Sequence, residues 1–177
     1  MGLFDLFKKK EPAAPATPPA VAAQEAADTL CAPVNGRVIG MKDVPDPVFS
    51  GEVLGKGCAV WPEGEVVYAP VSGTVTVTMG HAVGLSTDDG IEVLVHIGVD
   101  TVNMQGKGFT GYVKQGDTVK AGDPVIKMDR AAIKEGGYPD CVVLAVSNTA
   151  EFADVELVAD AESTVSAGTP VVKVVRK

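Results

Sequence analysis

Aromatic residues, histidines and cysteines are scarce in this chain, and each scarcity narrows what it can be. Phe, Tyr and Trp make up 5% of the 177 residues. The only histidines are His81 and His96. A zinc hydrolase would have to take its third ligand from Asp or Glu, and no H-E-x-x-H motif is present. Cys31, Cys58 and Cys141 are the only cysteines, with no close pair. That excludes a disulfide framework and fits reduced thiols in a cytosol, serving as small buried hydrophobes. No apolar run approaches the roughly 20 residues a membrane-spanning helix needs. Cationic residues are in the minority, 15 Lys and Arg against 23 Asp and Glu, for a net charge of −8. That balance argues against a nucleic-acid partner.

What is abundant is valine, alanine and glycine, the last at 20 residues. β-Branched residues interleaved with turn formers predict an all-β fold of many short strands. Residues 1–10 form an amphipathic N-terminal segment. Leu3, Phe4, Leu6 and Phe7 fall within one helical arc and Lys8, Lys9 and Lys10 follow, a pattern that predicts weak contact with an anionic membrane surface. Gly2 lacks the Ser or Thr at position 6 that a myristoylation signal carries. Residues 11–28 are Pro- and Ala-rich without a period and read as a semi-rigid, solvated linker. The folded domain is expected over residues 29–177.

Within it the chain echoes itself. Ala32-Pro33-Val34-Asn35-Gly36-Arg37-Val38 returns as Ala69-Pro70-Val71-Ser72-Gly73-Thr74-Val75. Thr118-Val119-Lys120-Ala121-Gly122-Asp123-Pro124-Val125 returns as Thr164-Val165-Ser166-Ala167-Gly168-Thr169-Pro170-Val171. Each copy reads strand, glycine turn, strand. Unequal spacing excludes a solenoid and predicts an antiparallel β-sandwich of two facing sheets with internal duplication. Helix signals are limited to one or two very short elements. Asp129 to Glu135 has an Asp N-cap and a Gly136-Gly137 stop, and a second short turn is expected within 150–158. Asp43 to Phe49 reads as a proline-stiffened loop presenting Val48 and Phe49. Gly106-Lys107-Gly108-Phe109-Thr110-Gly111 matches G-x-G-x-x-G, but no long helix follows, so its glycines are assigned to turns.

The two histidines flank Asp88-Asp89-Gly90, a strong hairpin signal between apolar-rich runs. With Asp88-Asp89 as a two-residue loop His81 stands opposite His96; with Asp89-Gly90 it is a diagonal neighbour. Both registers place the rings on one face, their Cβ atoms about 5–8 Å apart. A three-residue loop would put them on opposite faces unless a bulge intervened. Two imidazoles on one face suit metal binding, acid–base chemistry, or carriage of a group on nitrogen. His96 enters the run Ile91, Val93, Val95, Ile97, where an idle ionisable group would be costly. The glycine-turn segments also resemble biotinyl and lipoyl carrier domains, with Val125-Ile126-Lys127-Met128 as a partial match to the modified-lysine motif. That alternative leaves the histidines without a role.

A more extensive resemblance covers residues 29–177. Asp43-Val44-Pro45-Asp46 with Val48-Phe49, Ala69-Pro70-Val71, His81-Ala82, and Val95-His96-Ile97-Gly98-Val99-Asp100-Thr101-Val102 resemble the glucose-class enzyme IIA of the bacterial phosphoenolpyruvate-dependent sugar phosphotransferase system. Gly106 to Phe109 and Val146-Ser147-Asn148 add to it, and Met1-Gly2-Leu3-Phe4-Asp5 resembles the tail of the free-standing form. The resemblance implies a cytoplasmic phosphotransferase component, peripheral to the inner membrane face, that needs no cofactor. It implies that His96 accepts a phosphoryl group from the carrier HPr and passes it to a cysteine of enzyme IIB of a IIB/IIC sugar permease. It assigns His81 to phosphoryl stabilisation, Asp100 to tuning at the rim, and Val48 and Phe49 to partner docking. It extends to regulatory protein targets, with a purely regulatory binding module as the alternative. Apart from the resemblance, the histidine pair itself suits a regulatory zinc ion held between His81 and His96. One departure stands out: the family usually has a threonine two residues before the first histidine, where this chain has Met79, and the loop from Gly73 is shorter.

Overall fold

The computed structural model describes residues 16–177. The amphipathic segment expected at 1–10 and the start of the linker lie outside the described residues. Fourteen strands follow in order: β1 (Thr29–Cys31), β2 (Gly36–Gly40), β3 (Lys56–Pro62), β4 (Val66–Tyr68), β5 (Gly73–Met79), β6 (Ala82–Ser86), β7 (Glu92–Ile97), β8 (Phe109–Gly111), β9 (Thr118–Val119), β10 (Pro124–Met128), β11 (Val142–Val146), β12 (Asp154–Leu157), β13 (Thr164–Val165) and β14 (Pro170–Val175). Two short helices, α1 (Pro47–Ser50) and α2 (Arg130–Glu135), complete the fold with a few 3-10 turns. The all-β reading holds.

The large sheet has eight strands in the order β13-β2-β3-β11-β7-β6-β5-β9, and two three-stranded sheets, β1-β14-β12 and β4-β10-β8, accompany it. The main core takes side chains from all three sheets, among them Leu30, Val38, Val60, Val67, Val95, Ile126, Leu144 and Val172. Strand periodicity decides which side of the large sheet each residue serves. Val142, Leu144 and Val146 of β11 enter this core, while Val143 and Ala145 point the other way. They join a second, smaller core with Ile39, Met41, Val44, Phe49, Ala59, Val99 and Cys141. The central strands are therefore buried on both faces, which is why they read as continuous apolar runs.

The duplication is visible in equivalent hydrogen bonds. β13 pairs with β2 at one end of the large sheet, and β9 pairs with β5 at the other. Gly168 N–H donates to Ala32 O (3.0 Å) and Gly122 N–H to Ala69 O (2.9 Å). Ala167 N–H donates to Asn35 Oδ1 (2.7 Å) and Ala121 N–H to Ser72 Oγ (2.9 Å). The segment before β1 engages both halves: Val21 N–H donates to Gly122 O (3.0 Å) and Gln24 N–H to Gly168 O (2.9 Å). Residues 16–28, expected as solvated linker, have no regular structure but are tied to the domain at these two glycine turns.

Asp129 caps α2 by accepting from Ala132 N–H (3.0 Å), and Gly136 and Gly137 follow the helix. Two local expectations are corrected. The turn expected within 150–158 is a 3-10 turn at Thr149–Glu151 followed by strand β12, because Asp154-Val155-Glu156-Leu157 alternates polar and apolar and pairs with β14. The loop at 43–49 contains helix α1: Asp46 Oδ1 accepts from Val48 N–H (2.8 Å) and Phe49 N–H (3.1 Å), and Pro47 takes the first helical position.

Candidate functional site

His96 lies near the end of β7 on the outward face of the large sheet, opposite Ala82 of β6 and Val143 of β11. The β6–β7 ladder closes with Thr87 N–H donating to Ile91 O (2.9 Å), around a three-residue loop of Asp88, Asp89 and Gly90. This is the odd register, in which a histidine continuing β6 would project to the main-core side. The rings nevertheless meet, with centroids 4.7 Å apart and planes at 79°. The reason is that His81 is not on a strand. Met79 pairs with Ala82, so Gly80 and His81 form the two-residue turn of the β5–β6 hairpin, where strand alternation does not apply. Gly80 allows that turn to sit close: a Cβ there would lie 2.7 Å from the Cα of Gly106. The glycines at 106 and 108, with φ of 80° and 87°, thus build the neighbouring turn and no nucleotide loop.

The His96 ring is fixed by its Nδ1, 2.8 Å from the carbonyl oxygen of Gly98. A carbonyl only accepts, so Nδ1 carries the proton and the lone pair resides on Nε2. Gly98 makes the contact possible with φ of 76°. A Cβ there would lie 2.4 Å from Thr101 Cγ2 and 2.8 Å from Pro139 O. Phe49 packs against His96 at 4.9 Å between centroids, tilted by 57°. Phe109 stands 6.4 Å from His81. Burial pushes His96 down to about 4, with His81 adding to the effect, against the opposing pull of the Gly98 carbonyl, Asp46 and Asp100. Burial lowers His81 as well. The pair is therefore uncharged at neutral pH, a nucleophilic nitrogen beside a neutral ring.

The structure thus brings His81 and His96 together. Asp100 lies exposed in the left-handed region, φ 61°, with no capping hydrogen bond from its side chain. Val48 is 43% exposed, whereas Phe49 is buried and forms the wall of His96. Met79 is exposed and brings no hydroxyl to the pair. Among the described residues no group of three His, Cys, Asp or Glu side chains is placed to hold a metal. Zinc at the pair would take two ligands from the described residues, His81 and His96, and need others to complete its coordination. Lys127 lies within β10, paired with Val66 and Thr110 on either side, so it is not the hairpin-tip lysine of a lipoyl or biotinyl carrier. Cys58 and Cys141 are buried thiols pushed up to about 12, not nucleophiles. Sequence reading missed Asp46, Thr101 and Phe109 as site residues. The Asp-Pro dipeptide was a legible helix-start signal for the first; nothing local pointed to the other two.

Residues 28–152 match the family described as phosphoenolpyruvate-dependent sugar phosphotransferase system, EIIA 1. The chain belongs to this EIIA family. Among its relatives, the glucose-specific EIIA component of Oceanobacillus iheyensis is 40% identical over 130 residues, 72% of this chain and 79% of that protein. The glucose-specific EIIA component of Halalkalibacterium halodurans is 39% identical over 144 residues, 80% of this chain and 83% of that one. The mannose-specific EIIBCA component of Corynebacterium glutamicum is 43% identical over 143 residues, and there the chain spans only 21% of the protein. The solved glucose permease IIA from Mycoplasma capricolum superposes with a TM-score of 0.70 at 33% identity, covering 81% of this chain and 93% of that one. The EIIA β-sandwich is thus confirmed. No helix among the described residues is long and apolar enough to cross a membrane.

Proposed function

We propose that this EIIA protein carries a phosphoryl group on Nε2 of His96, taken from HPr and delivered to a cysteine of a sugar-specific enzyme IIB. The observation that carries the reading is the His96 Nδ1–Gly98 O contact, which leaves Nε2 unprotonated on a ring whose centroid is 4.7 Å from that of His81. In the accepting step the Nε2 lone pair forms the new N–P bond as the donor's bond to phosphorus breaks, and the leaving group keeps that electron pair. The proton stays on Nδ1, hydrogen-bonded to the Gly98 carbonyl. His81 donates to the phosphoryl oxygens as charge spreads over them. A cysteine thiolate of enzyme IIB then attacks phosphorus, and Nε2 takes back its lone pair. Exposed Val48, Val53 and Val102 supply apolar surface for docking. The same surface suits regulatory partners that distinguish the phosphorylated from the free form, and residues 1–10 add a weak membrane contact.

Reconstitution with phosphoenolpyruvate, enzyme I, HPr and a IIB domain tests this. His96→Gln is expected to accept no phosphate. His81→Gln is expected to accept it but to pass it on about 10²–10³ more slowly, as when one positioned donor is lost. Equal loss of both half-reactions in the two variants would contradict the assignment.

A further inference from the structure

His81 and Thr101 are the only polar side chains buried in the interior among the described residues. His81 belongs to the pair itself; Thr101, fully buried, reaches the site through the backbone. Its hydroxyl donates to the carbonyl of Ile97, the residue between His96 and the glycine that holds its ring. That contact lies outside the strand ladder and is made from the start of the 3-10 turn Thr101–Met104.

The backbone here is over-determined. The peptide joining Ile97 to Gly98 is held at one end by Gly98 N–H donating to Cys141 O (2.8 Å) and at the other by Thr101 Oγ1. Ile97 N–H in turn donates to His81 O (2.8 Å), so the same residue anchors the turn that carries the second histidine. The next peptide is held by Val99 N–H donating to Pro139 O (3.1 Å), and its carbonyl is the one that meets His96 Nδ1. The threonine methyl fills the space a Cβ on Gly98 would need. Asp100 accepts a left-handed conformation so that Thr101 can fold back in this way, a conformation non-glycine residues keep only where their surroundings impose it.

We propose that Thr101 is the positioning residue that holds His96 in its Nδ1–H, Nε2-free tautomer; only its consequence for phosphoryl transfer rests on the function proposed above. The hydroxyl orients the Ile97 carbonyl and the methyl confines Gly98, and together they aim the Gly98 carbonyl at Nδ1. Without the hydroxyl the Ile97 carbonyl loses this donor beside a buried methyl, and its peptide rotates toward another. The Gly98 carbonyl turns with it, and the imidazole proton redistributes to Nε2, where it blocks the nucleophile.

The test uses the full chain with 15N-labelled histidine, read by long-range proton–nitrogen correlation at about pH 8. Wild type and Thr101→Ser are expected to show His96 protonated on Nδ1 alone. Thr101→Val, which keeps the shape and loses the hydroxyl, is expected to show mixed tautomers. Its rate of acceptance from phosphorylated HPr should fall about 10–100-fold, the range for outer partners that fix a histidine's orientation. Thr101→Ser should restore most of that rate. A folded Thr101→Val with the wild-type tautomer overturns the proposal. If Thr101→Val does not fold, Thr101→Ser decides: retention of the tautomer supports the proposal and its loss overturns it. A wild type that holds the tautomer but accepts no phosphate refutes the carrier reading alone.

Discussion

Lowering the pH sets His96 apart from an ordinary histidine. Burial, reinforced by His81, places its protonation at about 4 where a free imidazole has 6.5, despite the pull of the Gly98 carbonyl and of Asp46 and Asp100. At roughly 1.4 kcal/mol per pH unit, holding the ring neutral over that interval corresponds to about 3 kcal/mol. Between these values the unfolded chain binds a proton at position 96 that the folded chain refuses, so stability falls as the pH falls and the loss is complete near pH 4. Carboxylates also titrate in this range, and His96→Gln supplies the reference that cancels them. Urea unfolding of both proteins from about pH 7 to pH 4 is expected to show the wild type losing up to about 3 kcal/mol more than the variant. The phosphoryl acceptance rate should stay flat through pH 6.5, because Nε2 remains unprotonated there. Parallel stability curves, or an NMR titration of His96 with a midpoint at 6 or above, would refute the reasoning.

Asp46→Ala removes the cap of α1 and should cost about 1 kcal/mol, measured by denaturation, and should also loosen Phe49 against His96, seen as a change in the His96 ring shifts. Gly98→Ala forces a methyl into Thr101 and Pro139 at a left-handed position; a loss of about 1–3 kcal/mol in unfolding free energy is expected, together with loss of the Nδ1 hydrogen bond. A chain beginning at residue 26 should be less stable than one beginning at residue 16 by about 1–3 kcal/mol, the worth of the two backbone hydrogen bonds to Gly122 and Gly168. Thermal unfolding of the two shortened chains measures it.

Much of the fold could be read from local pattern. The repeated Ala-Pro-Val and Ala-Gly segments announced a duplication, and the structure shows it as equivalent hydrogen bonds at Gly122 and Gly168. Asp129 and Gly136 marked α2 correctly. The histidine pair was legible too, but for an incomplete reason. Register parity would have separated the rings; they meet because His81 occupies a turn, and Gly80 lets that turn lie close against Gly106, a neighbour distant in sequence. Phe49 was read as surface because its neighbours are prolines and an aspartate, yet those same residues build a helical turn that drives it inward. Residues 11–28 read as solvated linker because they lack a period, yet the part from residue 16 on is anchored. Their anchoring uses backbone N–H groups, which composition does not reveal. Thr101 was invisible for a related reason, since its value lies in a carbonyl four residues back that only the folded loop brings to it.

The most direct test of the account is to locate the phosphate. The chain, labelled with 15N-histidine and charged from phosphoenolpyruvate through enzyme I and HPr, should show one acid-labile phosphoryl group with its 31P–15N coupling to Nε2 of His96, while His96 Nδ1 remains protonated and His81 unmodified. Phosphate on His81, or on Nδ1 of His96, would contradict it.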